Sequence, residues 1–443
     1  METTSKNLDS IVVIGAGECG ARAVAELRGR GFAGSITLIG EEAHFPYERP
    51  PLSKAALTAG ADEKTPQPVT VADEARLADL EVAVQTETRV TRIDREHKVV
   101  LAARVASGEA SGDRPGATAG DGIRDEFVEL PYDRLLLATG ARSRPLPIEG
   151  AEHALLLRTY ADALRLRAGL TAGDHVVVIG AGFIGLEVAA SARQRGCRVT
   201  VLELAPRALA RAVPAELADM LVARHVEEGV DIRFDVNVER IDTVDDGGFV
   251  VELASGPQVP ADLVVAGIGA EPNVDLAAEA GLECDNGIAV DELLQTSDPD
   301  IFAAGDCCSF PHGLYGGRRI RLESWRNAHD QAVVAAVNLL GGGESYVTVP
   351  WFWSDQYDRG LQLAGLFDDA AFTVARDRAD GVSVLFGLAD DGRLVASAAV
   401  GAGASVAKDV RVAEMMIGKQ ARPAIDQLTD PDVNLKKLLR AED

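Results

Sequence analysis

A chain of 443 residues is long enough for two or three domains, and an apolar fraction of 47% can fill their cores. Its formal charge of −25 argues against nucleic acid or an anionic membrane surface as partner, since both demand a basic face. Five scattered cysteines without a CxxC pair, a polar stretch from Met1 to Ser10 and the lack of an apolar run of about 18 residues predict a cytoplasmic protein with neither membrane span nor disulfide framework.

Residues 10–40 read as β-α-β. The run Ile11-Val12-Val13-Ile14 stops at Gly15-Ala16-Gly17-Glu18-Cys19-Gly20. In a GxGxxG turn the first glycine permits the tight bend and the second lets the backbone approach a pyrophosphate. The third lets the helix pack against its strand. The helix N-terminus adds free N–H groups and a partial positive charge. Ser35 to Ile39 reads as the next strand and delivers Glu41, about 20 residues on, where a ribose hydroxyl needs an acceptor. Glu18 is an acid inside this phosphate loop. It must turn away from the pyrophosphate or meet a counter-charge, because like charges repel.

Pro46 to Lys54 is a stiff segment fixed by prolines. Residues 82–101 alternate as paired strands would. Residues 106–125 are rich in Gly, Ser, Asp and Ala and are expected to form a mobile loop between the two strands of a hairpin. Leu135 to Gly140 reads as a buried strand ending in a glycine turn, and Pro145, Pro147 and Gly150 mark a crossover.

The signature then recurs. Val176-Val177-Val178-Ile179 runs into Gly180-Ala181-Gly182-Phe183-Ile184-Gly185, and Arg198 to Leu202 delivers Glu203. Two such sites on one chain suggest one cofactor held permanently and a second that visits, with electrons passing between them. A carboxylate that accepts from a 2′-hydroxyl repels a 2′-phosphate, so Glu203 points to NADH rather than NADPH. Arg207 and Arg211 lie just downstream and could soften that repulsion. A hairpin is expected at Asp246-Gly247-Gly248, and Leu263 to Gly269 closes the unit. The chain returns to the first unit through Thr296 to Asp306. Beyond Gly341-Gly342-Gly343 the pattern becomes that of antiparallel strands, with a turn at Asp390-Asp391-Gly392 and a helix near Val406 to Lys419. The seven histidines are dispersed without HxxxH or HExxH spacing, so no metal site is expected.

These residues resemble the FAD-dependent pyridine nucleotide-disulfide oxidoreductases, and within them the oxygenase-coupled NADH:ferredoxin reductases of the putidaredoxin reductase and biphenyl dioxygenase type. The resemblance covers essentially the whole chain. It rests on Arg49-Pro50-Pro51-Leu52-Ser53-Lys54, Ala138-Thr139-Gly140, Gly180 to Glu187, Thr296 to Cys307 and Pro350 to Gln356. It implies an α/β fold with two Rossmann-like dinucleotide-binding domains, arranged as in glutathione reductase, and a small C-terminal α+β domain. The expected limits are 1–143 and 271–340 for FAD, 144–270 for NAD and 341–443 for the third domain.

The resemblance also implies non-covalent FAD, NADH as co-substrate and an iron–sulfur ferredoxin, 2Fe-2S in type, as partner to a monomer or homodimer. A hydride would pass from NADH to the flavin, and single electrons would leave for the ferredoxin. Lys54 would sit beside the flavin, paired with Glu187. Glu41 would bind the adenosine ribose, Arg142 the FAD phosphates and Asp306 the ribityl chain, with Trp325 against the isoalloxazine. The remaining cofactor positions implied are Gly15, Gly17, Gly20, Arg49, Pro50, Val90, Ala138, Thr139, Gly140, Gly180, Gly182, Ile184, Gly185, Glu203, Arg211, Gly269 and Gly305.

Ferredoxins are usually acidic, as this chain is, so docking needs a local basic patch. Arg318, Arg319, Arg321 and Arg326, or Lys436, Lys437 and Arg440, are the candidates. A disulfide or peroxide reductase on the same fold would need a thiol beside the flavin. His44 to Arg49 contains none, and adjacent residues such as Cys307-Cys308 rarely bridge without strain. A signalling flavoprotein resembling apoptosis-inducing factor is the other alternative, and the compact third domain tells against it.

Overall fold

The computed structural model describes residues 8–59, 66–105, 123–245 and 247–440. Strand β1 (Ser10–Ile14) is β-branched and buried from Ile11 to Ile14, as a strand covered on both faces must be. Helix α1 (Glu18–Gly29) leads to β2 (Ser35–Ile39), and β3 (Val82–Gln85) and β4 (Arg134–Leu137) follow. All pair in parallel, with Ile14 between Ile39 and Leu137.

The second unit repeats the plan. It contains β5 (His175–Ile179), α2 (Phe183–Gln194), β6 (Arg198–Leu202), α3 (Ala215–Glu227), β7 (Val230–Arg233) and β8 (Leu263–Ala266). Its sheet runs β7-β6-β5-β8, with Ala154–Leu155 at the edge. The chain then returns as β9 (Ile301–Ala303), completing the first sheet in the order β9-β4-β1-β2-β3. Both glycine loops therefore open at the carboxyl end of a central strand, where doubly wound sheets take their ligands.

Residues 82–101 depart from the expected pairing. Val82–Gln85 joins the parallel sheet beside β2. Glu87, at φ 48, turns the chain before Thr88–Asp94 pairs antiparallel with Val99–Val105. Alternation alone does not reveal that break. The loop expected at 106–125 lies outside the described residues except for the start of the strand Ile123–Pro131. Asp246 is also outside them, and the strands on either side, Val238–Thr243 and Phe249–Leu253, pair antiparallel as a hairpin requires.

Helix α4 (Trp325–Leu339) packs against α1. The C-terminal sheet comprises β10 (Trp351–Gln356), β11 (Arg359–Gly365), β12 (Phe372–Asp377), β13 (Ser383–Leu388) and β14 (Leu394–Ala402). These are wholly antiparallel, in the order β10-β11-β14-β13-β12, and α5 (Ala407–Gly418) lies against β14 and β11. Leu361, Leu363, Leu385, Ala398 and Val400 of this sheet share one hydrophobic cluster with the second unit. The apolar faces of two units are thus buried against each other, which fixes β10 beside α2. Among the described residues no helix is long and apolar enough to cross a membrane.

Candidate functional site

Each glycine loop is built by close backbone approach. Gly15 has φ +115, and a Cβ there would stand 2.0 Å from the Ala138 carbonyl oxygen. A Cβ on Gly20 would stand 2.0 Å from the Gly15 oxygen. In the second loop the same positions, Gly180 and Gly185, would meet the Gly267 and Gly180 oxygens at 2.6 and 2.0 Å.

Gly17 and Gly182 are the extended N-caps of α1 and α2, and neither helix receives a side-chain cap from the described residues. By contrast, Ser324 caps α4 by accepting from the Asn327 N–H. The first N–H groups of α1 and α2 are therefore left for another acceptor. Among the described residues nothing stands within 4 Å of a Cβ built on Gly17, and only the Gly267 oxygen, at 3.8 Å, on Gly182. Two uncapped helix ends facing open cradles fit two diphosphates.

The first cleft is lined by a charged chain that the sequence only partly revealed. Glu41 is held by Arg89, beside the half-buried Val90. The neighbouring Glu42 binds Arg49 at 2.8 Å, and Arg49 donates to the Arg158 carbonyl at 2.6 Å. The Arg158 guanidinium reaches Asp306 at 2.9 Å, and a Cβ on Gly140 would stand 3.7 Å from the same nitrogen. The backbone N–H of Gly305 donates to Gln331 at 2.7 Å. Ala138 is buried, and Thr139 is tied to Asn273 by reciprocal 2.8 Å bonds. Pro50 opens the short helical turn Pro50–Ser53 that presents Lys54.

Arg142 lies 3.4 Å from the Oδ1 of Asn273, the partner of Thr139. It is half exposed and engaged by Asp275 at 2.9 Å and Glu271 at 3.7 Å. The arginine beside Asp306 is Arg158. Its one sequence signal is the Thr159–Asp162 capping box that fixes the turn directly after it.

Trp325 is the half-buried first residue of α4. Its ring stacks on His329 at 5.1 Å and meets Trp353 edge-on at 6.1 Å, and Trp353 stacks on Trp351 at 5.3 Å. The Trp325 indole nitrogen is buried with no acceptor among the described residues. A buried donor so placed fits an acceptor supplied by a ligand.

Glu18 meets a partner. Its carboxylate lies 2.8 Å from His329 Nδ1, so α4 engages the acid that opens α1. His329→Leu should leave Glu18 unpaired at the diphosphate end of the helix. FAD affinity is expected to fall about tenfold, the effect of one lost charge-assisted hydrogen bond of ~1.5 kcal/mol. Fluorescence titration of the apoprotein with FAD checks this, and an unchanged Kd would remove Glu18 from the account of FAD binding.

The two units meet at Lys54 and Glu187. Lys54 Nζ lies 2.8 Å from Glu187 Oε2, and Glu187 is buried while Lys54 retains partial exposure. In the second cleft Glu203 accepts from the Ala181 and Ala205 N–H groups at 2.5 and 2.8 Å, so it braces the loop it was expected to serve. Ile184 is exposed at the start of α2. Arg211 stands by Gly269, 3.3 Å from where a Cβ would be, and Arg207 is tied to the carbonyls of Ala208, Ala210 and Val213.

Cys19, Cys307 and Cys308 are fully or nearly fully buried, and burial pushes all three thiols above the ordinary cysteine range. A nucleophilic thiolate is not accessible there. Among the described residues no group of three or more His, Cys, Asp and Glu is placed to hold a metal ion. The arginines expected to form a basic patch are engaged. Arg318 pairs with Asp369 at 2.5 Å, Arg321 with Glu323 at 2.6 Å and Arg326 with Asp330 at 2.9 Å. Arg319 donates to the Ser309 carbonyl at 2.6 Å. Lys436 and Lys437 are exposed, and the side chain of Arg440 lies outside the described residues.

Residues 9–332 match the pyridine nucleotide-disulphide oxidoreductase family, and residues 351–439 match the reductase C-terminal family. The chain belongs to the pyridine nucleotide-disulphide oxidoreductases. It is 43% identical to the anthranilate 1,2-dioxygenase system ferredoxin–NAD(+) reductase component of Burkholderia cepacia, over 97% of this chain and 99% of that one. It is 39% identical to putidaredoxin reductase of Pseudomonas putida, over 81% and 80% of the two chains. Among solved structures, a ferredoxin reductase from Rhodopseudomonas palustris superposes with a TM-score of 0.85 at 37% identity, covering 97% of this chain and 99% of that one. The covalent putidaredoxin reductase–putidaredoxin complex gives 0.85 at 35% identity and 98% coverage of both chains.

Proposed function

We propose that the chain is an FAD-dependent NADH:ferredoxin reductase, taking hydride from NADH and delivering single electrons to an iron–sulfur ferredoxin that feeds an oxygenase. The Lys54–Glu187 ion pair carries this reading, because it joins the two dinucleotide units at one charged contact. The relatives support it, since they bear the names of ferredoxin–NAD(+) reductase components and of putidaredoxin reductase. Bound FAD supplies both two-electron acceptance and one-electron release, which no side chain can do.

The chain's own residues then have separable tasks. The uncapped ends of α1 and α2 bind the two diphosphates, with Gly15, Gly17 and Gly20 at the first and Gly180, Gly182 and Gly185 at the second. Glu41, held by Arg89, accepts from the adenosine ribose of FAD. Asp306, held by Arg158, binds the ribityl chain. Trp325 covers the ring system from the α4 side. Lys54 places a positive charge where negative charge develops on reduction, and Glu187 keeps that charge in place. The domain limits given above, a 2Fe-2S ferredoxin, a monomeric or homodimeric state and a cytoplasmic location belong to the same proposal. Of the basic candidates we assign docking to Lys436 and Lys437, because Arg318, Arg319, Arg321 and Arg326 already serve internal partners.

Anaerobic titration of the purified protein with NADH tests the reading. Flavin bleaching at about one equivalent, with a long-wavelength charge-transfer band, supports it. Flavin that stays oxidised overturns it. Cofactor choice follows from Glu203. Glu203→Arg should lower kcat/KM for NADH by about 10- to 100-fold, the range for hydrogen bonds to a charged acceptor. Use of NADPH should improve. The loss also includes a loop contribution, since Glu203 braces the Ala181 N–H. Unaltered preference between the two nucleotides would exclude Glu203 from specificity.

A further inference from the structure

Glu187 is shared by all three parts of the molecule. Besides Lys54, its Oε2 accepts from the Ser53 hydroxyl at 2.5 Å, and its Oε1 accepts from the Ser354 hydroxyl at 2.6 Å. Ser53 precedes Lys54 in the first unit, whereas Ser354 lies on β10 of the C-terminal sheet. Ser354 is 1% exposed, so its bond is shielded from bulk solvent. Its oxygen accepts from Gln356 Nε2 at 3.2 Å. Gln356 Oε1 lies 2.9 Å from Nε2 of His225 on α3, and His225 Nδ1 lies 3.4 Å from the Tyr357 hydroxyl.

Every proton in this chain has an assigned place. An ionised carboxylate can only accept. Ser354 must therefore give its one proton to Glu187, and must accept from the Gln356 amide. The Gln356 carbonyl oxygen then faces His225 Nε2, which must carry hydrogen. His225 is fully buried, and burial lowers its pKa below the ordinary histidine value, so Nδ1 is left bare for the Tyr357 hydroxyl. Arg224, 5.3 Å from the Tyr357 ring centre and paired with Asp358 and Glu228, and the Tyr357 hydroxyl itself are the charged and titratable neighbours at the outer end. All donors point one way, toward Glu187, and such bonds reinforce one another.

We propose that Ser354 is a positioning residue for the reduction step. It ends a one-way hydrogen-bond chain by which the C-terminal sheet orients Glu187 and, through it, Lys54. The inference rests on the proposed function, in which Lys54 acts beside the flavin. It assigns to the C-terminal sheet a part in the half-reaction with NADH, separate from any contact with the electron acceptor.

The test compares Ser354→Ala, Ser354→Thr and Gln356→Leu with the parent holoenzyme. Ser354→Ala should slow flavin reduction by NADH about tenfold, the effect of one hydrogen bond to a charged acceptor. It should also lower the midpoint potential of the bound flavin, with flavin content held and the melting temperature lowered by no more than about 5 °C. Ser354→Thr, which restores the hydroxyl, should recover the rate to within about threefold of the parent. If Ser354→Ala loses flavin, Gln356→Leu supplies the same readouts, because it leaves the Ser354 hydroxyl and Glu187 in place and removes the amide behind them, both the donor to Ser354 and the acceptor for His225 Nε2. Nitrogen-15 spectra of the histidine-labelled protein should give His225 as the Nε2–H tautomer. A parent rate and potential in both Ser354→Ala and Gln356→Leu overturns the proposal, as does an Nδ1–H tautomer at His225. Failure of NADH to reduce the parent flavin overturns instead the reading on which it rests.

Discussion

Replacing Lys54 with methionine is expected to slow flavin reduction by NADH about a hundredfold and to lower stability as well. Lys54 Nζ lies 2.8 Å from the buried Glu187 and keeps one side accessible to the cleft. Methionine preserves the length of the side chain and removes its charge. A preorganised charge aimed at developing negative charge contributes on the order of 10²- to 10³-fold when deleted singly. The same substitution leaves Glu187 buried without its cation, held by the Ser53 and Ser354 hydroxyls alone. A buried charge stripped of its partner costs about 3–5 kcal/mol in general. The two hydroxyls and the opening on the Lys54 side reduce that figure here. Stopped-flow absorbance under anaerobic conditions gives the rate, and the double variant Lys54→Met with Glu187→Gln separates the two effects. The double variant should regain stability without regaining speed. Reduction at the parental rate in Lys54→Met would exclude the lysine from the chemistry.

Gly20→Val should yield protein that does not retain FAD. Even the first carbon of the new side chain would stand 2.0 Å from the Gly15 carbonyl oxygen and 3.2 Å from Leu38. The oxygen belongs to the turn that also binds Ile39 through the Gly15 N–H, at 2.8 Å, so it cannot withdraw without breaking the β1–β2 junction. Helix α1 must instead move off its strand, which takes its N–H groups away from the diphosphate. Overpacking of a rigid site costs about 1–3 kcal/mol or more, and the displaced helix end loses its anion site as well. The flavin-to-protein absorbance ratio after purification measures this. The second unit supplies the control. Gly185→Val, where the same approach to Gly180 recurs, should keep FAD and lose NADH binding. FAD retained at full occupancy by Gly20→Val would contradict the packing argument.

Much of the candidate site was legible because it is local in sequence. A glycine turn, the strand before it and the helix after it are set by residues within a few positions of one another, so Gly15 to Gly20 and Gly180 to Gly185 announce themselves. The acids Glu41 and Glu203 follow from the fixed length of a β-α-β unit. Lys54 and Glu187 were reached through resemblance, and their 2.8 Å contact agrees with the pairing expected of them. Arg158 and Arg89 were not reached, and Ser354, inside the stretch Pro350 to Gln356, was given no role. Each acts on a residue far away in the chain, 148 positions for Arg158 to Asp306, 48 for Arg89 to Glu41 and 167 for Ser354 to Glu187. No period or spacing encodes such a contact. Arg142 illustrates the converse: a motif position whose side chain is drawn to Glu271 and Asp275 by a strand pairing, Glu271 opposite Arg142, that only the fold creates.

The sequence by itself determined two dinucleotide loops, an acid following each, a net negative charge and a third, antiparallel unit, because short-range sterics and hydrophobic alternation act on neighbours in the chain. The tertiary structure decided which charges are free. It engaged Arg318, Arg319, Arg321 and Arg326 with internal partners, turned Glu18 toward His329, and brought Ser53, Lys54 and Ser354 onto one buried carboxylate. The reason is desolvation: once packing buries Glu187, its charge must be matched by donors, and packing of both the Pro50–Ser53 turn and the C-terminal sheet against α2 selects which ones.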